Sequence, residues 1–441
     1  MSTEIAVEQG PKKSDIEEGL ITPFALLTSF VMVLCFWFIG HSWDASATAN
    51  AAAASYRLGD ENLTADRTKI VGGWSSVFRL VFASWGCFCF AIAPKSRLNT
   101  STPFFWSLLL VAMFLVSSTL WSAKPSQTIF KLTVLFSVAI GAAGLAAKFS
   151  LREFLAIVAC VCTSFSVLGI LAEISTGNFR PGSNYRFVGT THPNTEAIFA
   201  SFLCLISRLY FSRLGTRNLW GFGIFFFGMA VVLMTKSRTA LAGLLVSMLI
   251  AQTLIIRGAN RLLLITGLLV LASLALAGSS MISRGSSGFL GKTANMGRSD
   301  ESSTLSGRLP LWDELLVSIN KKPILGHGYL AYWDSKQVEY LSERLGWEIP
   351  HGHNAYLDTL LDGGIVGFSL VLLAILLAFI QAGRLYAIRD RIEYAIVFGL
   401  LAYAVIHGLA ESIFKLPGFG LFVVITCCFL MLKEPYKPKR R

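Results

Sequence analysis

Residues able to do proton and anion chemistry gather in a few short segments. The first is His351-Gly352-His353-Asn354-Ala355-Tyr356-Leu357-Asp358. Asn354 is a good helix N-cap, and Leu357, Leu360 and Leu361 follow it at helical spacing. His353 therefore stands at a helix N-terminus, where the dipole disfavours an imidazolium. A neutral imidazole is a usable general base. The plainer reading, a residue that only touches backbone or headgroups, stays open beside it. A metal site on His351, His353 and His327 has no acidic residue or cysteine at a matching spacing, so no metal and no cofactor is expected.

Three arginines form the second set. Arg238, in Lys236-Ser237-Arg238-Thr239, opens an apolar run. A cation at a helix N-terminus opposes the dipole, and a bound anion would offset that. Arg186 precedes Thr191-His192-Pro193-Asn194, where Asn194 reads as another helix cap. Arg308 lies in Ser306-Gly307-Arg308-Leu309-Pro310. A guanidinium is always charged and grips phosphate oxygens with a planar fork, so three on one face suit a diphosphate. Arginines that snorkel from helix ends are the alternative. His407 and Glu411, at i,i+4 inside an apolar run, are either functional or a mutually satisfied pair.

The elements that must hold these residues are apolar. Of 441 residues, 54% are hydrophobic and 15% charged, with a mean hydropathy of +0.60. A soluble domain carries about 25% charged residues, so a soluble enzyme and a disordered chain are both excluded. The formal charge of +12 fits basic helix ends at a membrane face, and no basic stretch is interleaved with aromatics as a nucleic-acid groove needs. All eight cysteines fall inside apolar runs and read as packing residues. Apolar runs near 23–41, 71–93, 104–121, 128–147, 154–172, 196–212, 219–235, 239–256, 261–281, 364–383, 393–411 and 416–432 predict an all-α polytopic membrane protein of about twelve transmembrane helices.

The expected organisation follows from these runs. Residues 1–22 form an N-terminal tail that is no cleavable signal, since it is long and acidic. Spans one to nine occupy 23–281. Residues 282–363 are a partly helical loop domain, with Leu309, Leu311, Trp312, Leu315, Leu316 and Ile319 at helical spacing. Spans ten to twelve fill 364–432, and 433–441 is a basic tail. Lys and Arg outnumber those of the opposite side in the short loops that share a face with the tails, which predicts cytoplasmic termini and an extracytoplasmic 282–363. Loops 42–69 and 173–195 fall on that outer face too, the first carrying Asp60 and Glu61 as acidic alternatives to the histidine base.

Taken in order, RFVGTTHPN, TKSRTALAG, SGRLPLWDELL, PILGHGYLAYW and HGHNAYLDTLLDGGIVG resemble the O-antigen ligase and O-antigen polymerase superfamily of bacterial envelope proteins. The stretch GRSDESSTLSGRLPLW with GHGYLAYW is most similar to the exopolysaccharide-polymerase branch. The resemblance covers roughly residues 70–430, while 1–69 fit no such pattern. It implies a metal-independent inverting glycosyltransferase at the outer leaflet of the bacterial inner membrane. The donor would be an oligosaccharide on undecaprenyl diphosphate. The acceptor would be a glycan hydroxyl, on another lipid-linked repeat for a polymerase or on lipid A core for a ligase. Arg238, Arg308 and Arg186 would hold the diphosphate, His353 would take the acceptor proton, and Asn354 would orient the site, with Glu411 and His407 in support. Membrane lipid and a chain-length regulator are the implied partners, without nucleic acid. A transporter or flippase for lipid-linked sugars and a non-catalytic export partner are the readings from other classes.

Overall fold

The computed structural model describes residues 22–40, 63–94, 98–182, 185–210, 217–256, 308–347, 349–414 and 418–434. Every regular element among them is helical: α1 (Pro23–Gly40), α2 (Leu63–Ala91), α3 (Pro103–Ser117), α4 (Pro125–Lys148), α5 (Leu151–Ser175), α6 (Pro193–Ser207), α7 (Arg217–Met234), α8 (Arg238–Ile255), α9 (Arg308–Lys321), α10 (Ser335–Leu345), α11 (Ala355–Arg389), α12 (Ile392–His407) and α13 (Phe419–Lys433), with 3-10 turns after α3 and α6. Among the described residues, five helical segments are long and apolar enough to cross a membrane: Pro103–Leu120, Pro125–Lys148, Leu151–Ser175, Arg238–Ile255 and Ala355–Arg389. Shorter apolar helices stand at Pro23–Ile39, Ser75–Ala91, Leu219–Met234, Ile392–His407 and Phe419–Lys433. The expected ninth span, 261–281, lies outside the described residues, as do Asp60, Glu61 and both chain ends. Helix α2 begins at Leu63, inside the stretch expected to be loop.

The bundle is held by large apolar side chains. Phe36, Phe82 and Phe422 meet with ring centroids 5.2–5.3 Å apart, and Phe165 stacks on Phe199 at 4.6 Å. Many Leu, Phe and Trp side chains still point outward, among them Phe30, Trp106, Phe226 and Leu376. That is the surface of a protein whose solvent is apolar. The cysteines are free thiols, and Cys35, Cys89, Cys162, Cys204, Cys427 and Cys428 are buried.

A second, smaller core lies in 308–361, where Leu311, Leu315, Ile319, Trp333, Leu341, Ile349 and Leu361 pack together. The expected amphipathic helix is α9, but its apolar positions split. Leu311, Leu315 and Ile319 are buried, whereas Leu309 and Leu316 are exposed. Spacing alone placed those two on the inner face; a helix of this width buries only one stripe.

Helix α11 carries a break that ties this small core to the bundle. Gly364 has φ 59° and ψ −161°, so the ladder of intrahelical bonds is interrupted there. The segment Pro323–Gly328 crosses the gap. It takes Ile365 N–H on the Pro323 carbonyl and Val366 N–H on the Ile324 carbonyl, at 2.8 and 3.2 Å. It gives His327 N–H to the Leu361 carbonyl and Gly328 N–H to the Asp362 carbonyl, at 2.7 and 3.0 Å. The groups freed by the break are thus satisfied by one loop. Only glycine fits: a Cβ at 364 would stand 2.3 Å from the Ile324 carbonyl oxygen.

Candidate active site

The N-termini of α6, α8, α9 and α11 and the C-terminus of α12 bring the candidate residues to one end of the bundle. Asn354 is the N-cap of α11, its Oδ1 accepting from Tyr356 and Leu357 N–H at 3.0 and 3.1 Å. Its amide donates to the Leu409 carbonyl at 3.1 Å, and Ala355 N–H donates to the Gly408 carbonyl at 2.8 Å. Asn354 therefore fastens α11 to the end of α12, with its polar atoms engaged in the scaffold.

Those contacts fix His353, which sits at φ 47° in the left-handed region. A non-glycine residue there costs on the order of 1–3 kcal/mol and persists only where its surroundings over-determine it. The His353 Nδ1 lies 3.4 Å from Glu411 Oε2. An ionised carboxylate can only accept, so Nδ1 carries the proton. In the neutral ring the lone pair is then on Nε2, which is buried and has no hydrogen-bond partner among the described residues.

Glu411 is the hub. Its Oε1 accepts from Arg308 Nη2 at 2.7 Å and from Asn194 Nδ2 at 2.5 Å. Arg308 Nη1 also donates to the Ala410 carbonyl at 2.5 Å. Burial alone would raise the Glu411 pKa; the His353 hydrogen bond and the Arg308 charge outweigh it and hold the carboxyl down at about 2. The expected helical i,i+4 placement of His407 and Glu411 is not kept, although their charges still act on each other. Helix α12 ends at His407, and the turns Gly408–Ala410 carry Glu411 off the helix. His407 is fully buried and stacks on Tyr403 with centroids 5.1 Å apart.

Arg186 reaches the same cluster. Its Nε donates to the Thr235 carbonyl at 3.0 Å and its Nη2 lies 3.5 Å from Asn194 Oδ1. A buried carboxylate aims it: Glu173 on α5 accepts from Val188 and Gly189 N–H, both at 2.8 Å, and from the Tyr185 hydroxyl at 2.5 Å. Burial and that bond push the Tyr185 phenol well up. Asn194 is not the cap of α6. The cap is His192, whose Nδ1 accepts from Asn194 N–H at 3.2 Å, with Pro193 at the first helical position. Burial and then Arg186 push the His192 imidazole below its ordinary value, which keeps Nδ1 an acceptor. Arg238 is the first residue of α8, half-buried. Gly243, further along α8, lies beside His407, so α8 and α12 share this end of the bundle. Arg186 and Arg308 thus bear on one cluster, Arg308 through Glu411 and Arg186 through Asn194.

Sequence reasoning missed Asn194 as a partner of Glu411, His192 as a cap and Glu173 as a loop anchor. Pro193 after His192 was the available signal for the cap. Nothing local marks a contact between Arg308 and Glu411 or between Asn194 and Glu411, so far apart in the chain. The other motif residues build the floor. Asp358 accepts from Trp333 Nε1 at 3.0 Å, from Gly352 N–H at 3.2 Å and from the Ser412 hydroxyl. Asp362 accepts from Leu330 N–H at 3.0 Å. Among the described residues no group of three His, Cys, Asp or Glu side chains stands where it could hold a metal.

Fold and cluster together define a helical protein of membrane-spanning composition with an ionisable site at one end of its bundle. Residues 223–372 match the family model described as O-antigen ligase, the family that the motifs of this stretch resemble. It contains Arg238, Arg308, His353 and Asn354, while Arg186, Asn194 and Glu411 complete the cluster from outside it. The chain is 28% identical over 125 residues to the exopolysaccharide production protein ExoQ of Rhizobium meliloti (strain 1021), covering 26% of this chain and 28% of that protein. It is 29% identical over 82 residues to an uncharacterised protein of Haemophilus influenzae (strain ATCC 51907 / DSM 11121 / KW20 / Rd), covering 18% of this chain and 21% of that one. The chain thus spans less than a third of the length of these curated relatives.

Proposed function

We propose that this chain is a glycosyltransferase of envelope polysaccharide synthesis, working in the bacterial inner membrane. It moves an oligosaccharide from undecaprenyl diphosphate to a sugar hydroxyl, with inversion and with no metal, and it polymerises exopolysaccharide or O-antigen repeats. The observation that carries the reading is His353, whose Nδ1 faces Glu411 while its buried Nε2 has no partner among the described residues, beside the guanidinium of Arg308. Nε2 takes the proton of the acceptor hydroxyl as its oxygen attacks the anomeric carbon. The positive charge that develops on the ring meets the Glu411 carboxylate. Arg308, Arg186 and Arg238 stabilise the departing diphosphate, whose charge grows as the glycosidic bond breaks. Asn354 acts as a positioning residue through the backbone of α11. Twelve spans, cytoplasmic termini and an outer site complete the proposal, with a chain-length regulator as partner.

The domain match and the printed name of the Rhizobium relative support glycan transfer, and that name favours the polymerase over the ligase. The test is incubation of the purified protein in detergent with lipid-linked donor alone. Lengthened glycan identifies a polymerase. Product that appears only after addition of lipid A core identifies a ligase, and no product with either overturns glycosyl transfer.

A further inference from the structure

The site has two chemical characters. Through Glu411, the Nδ1 edge of His353 joins the guanidinium of Arg308. The imidazole is also flanked by two rings. Trp347 lies with its centroid 5.4 Å from His353, inclined by 43°, and His351 lies at 4.1 Å. Trp347 is half-buried, with part of its indole packed on the small core of 308–361. Two devices hold it there. Gly346 ends α10 in the left-handed conformation, φ 75°, and turns the chain out of the helix. Ile349, fully buried, pins the far side, its N–H donating to the Ser342 hydroxyl at 3.0 Å. A large aromatic ring is thus held beside the proposed base by the turn before it and the small core beneath it.

We infer that Trp347 is the platform on which the acceptor sugar rests, an inference that builds on the glycosyl-transfer reading above. A hydroxyl whose proton goes to Nε2 must come within about 3 Å of it. The pyranose that bears this hydroxyl then lies about one ring's width from the imidazole, the separation of Trp347. The C–H face of a pyranose is apolar and packs on an indole, which offers broad rigid contact area at little entropic cost. A diphosphate has no use for such a surface. The division assigns the donor's anion to the arginines and the acceptor's sugar to the aromatic wall. The ligand class is therefore a neutral or weakly charged pyranose with one unobstructed C–H face.

The test uses the full chain in detergent, saturating lipid-linked donor, and a fluorophore-tagged lipid-free oligosaccharide repeat as acceptor. Trp347→Ala raises the acceptor KM by roughly tenfold, with kcat and the donor KM within about twofold of wild type. Trp347→Phe keeps most of the acceptor affinity, and Trp347→Leu, with apolar bulk but no aromatic face, loses it. The leucine and phenylalanine variants keep the test decisive should the alanine variant fail to fold. An unchanged acceptor KM in Trp347→Leu, or a fall in kcat alone, overturns the platform while leaving glycosyl transfer standing. Failure of the wild type to transfer from the lipid-linked donor overturns the underlying reading instead.

Discussion

His353 is held at a positive φ, with one ring nitrogen facing a carboxylate and the other without a partner among the described residues. That combination sets its consequences on mutation. His353→Ala should lower transfer by roughly a hundredfold to ten-thousandfold with donor binding intact, because general-base help is lost while the arginines remain. A filter-binding assay with labelled lipid-linked donor, run beside the transfer assay, separates the two effects. Arg308→Lys keeps a charge but cannot span Ala410 and Glu411 as a fork, so activity should fall by about tenfold to a hundredfold. Near-normal rates in both variants would leave these residues structural. Glu411 gives the pH dependence. Its folded value, about 2, lies below the ordinary 4.5, so the carboxylate's contribution to stability is complete above the ordinary value and fades as pH falls towards about 2. The thermal midpoint of Glu411→Gln should therefore trail wild type by a constant interval from about pH 8 to 6, and by less under strong acid. An interval that shrinks between pH 8 and 6 would contradict the assignment.

At the scale of elements, the start of α11 was legible and its break was not. Asn354 followed by leucines at helical spacing announces a capped helix, and the helix begins at Ala355. The apolar run from 364 onward marks a span, and the second part of α11 follows Gly364. Gly363-Gly364 alone could not show that Pro323–Gly328 crosses the gap, because that pairing depends on two segments far apart in sequence meeting in space. The same limit hid the partners of Glu411. Spacing put it on a helix with His407, whereas the chain leaves the helix after His407 to meet α6 and α9. Short-range patterns report local caps and stripes; contacts across a bundle are set by packing. The break is also where the fold is most exposed to a small change. Gly364→Ala places a Cβ against the Ile324 backbone at a positive φ, so strain on the order of 1–3 kcal/mol adds to a clash that backbone must absorb. The variant should lose several degrees of thermal midpoint in detergent and should lose activity with it. A wild-type melt would show that the loop can move aside.

For the whole molecule the decisive question is which end faces the lipid-linked donor. The two ends of the bundle differ in chemistry. Away from the cluster, cations sit at helix C-termini: Lys433 donates to the Ala146 and Ala147 carbonyls at 3.3 and 2.8 Å, Lys148 closes α4, and Arg389 at the end of α11 pairs with Glu434 at 3.6 Å. Arg391, two residues on and the N-cap of α12, pairs with Glu393. The cations at helix C-termini favour the dipoles they terminate, and an excess of short-loop cations marks the cytoplasmic side by the positive-inside rule. The candidate cluster stands at the other end of the bundle with α9 and α10, and the proposal puts that end outside. The proposed donor requires this, because lipid-linked repeats are joined outside the inner membrane. A cysteine introduced at Glu343, exposed on α10, should react with a membrane-impermeant thiol reagent in intact spheroplasts. The background should have Cys87, the exposed native thiol, replaced by alanine. A cysteine at Lys437 in the basic tail should react only after lysis. The reverse pattern would put His353 and Arg308 in the cytoplasm, where the proposed donor is not presented. A flippase or an early transferase acting on the inner leaflet would then replace the polymerase reading.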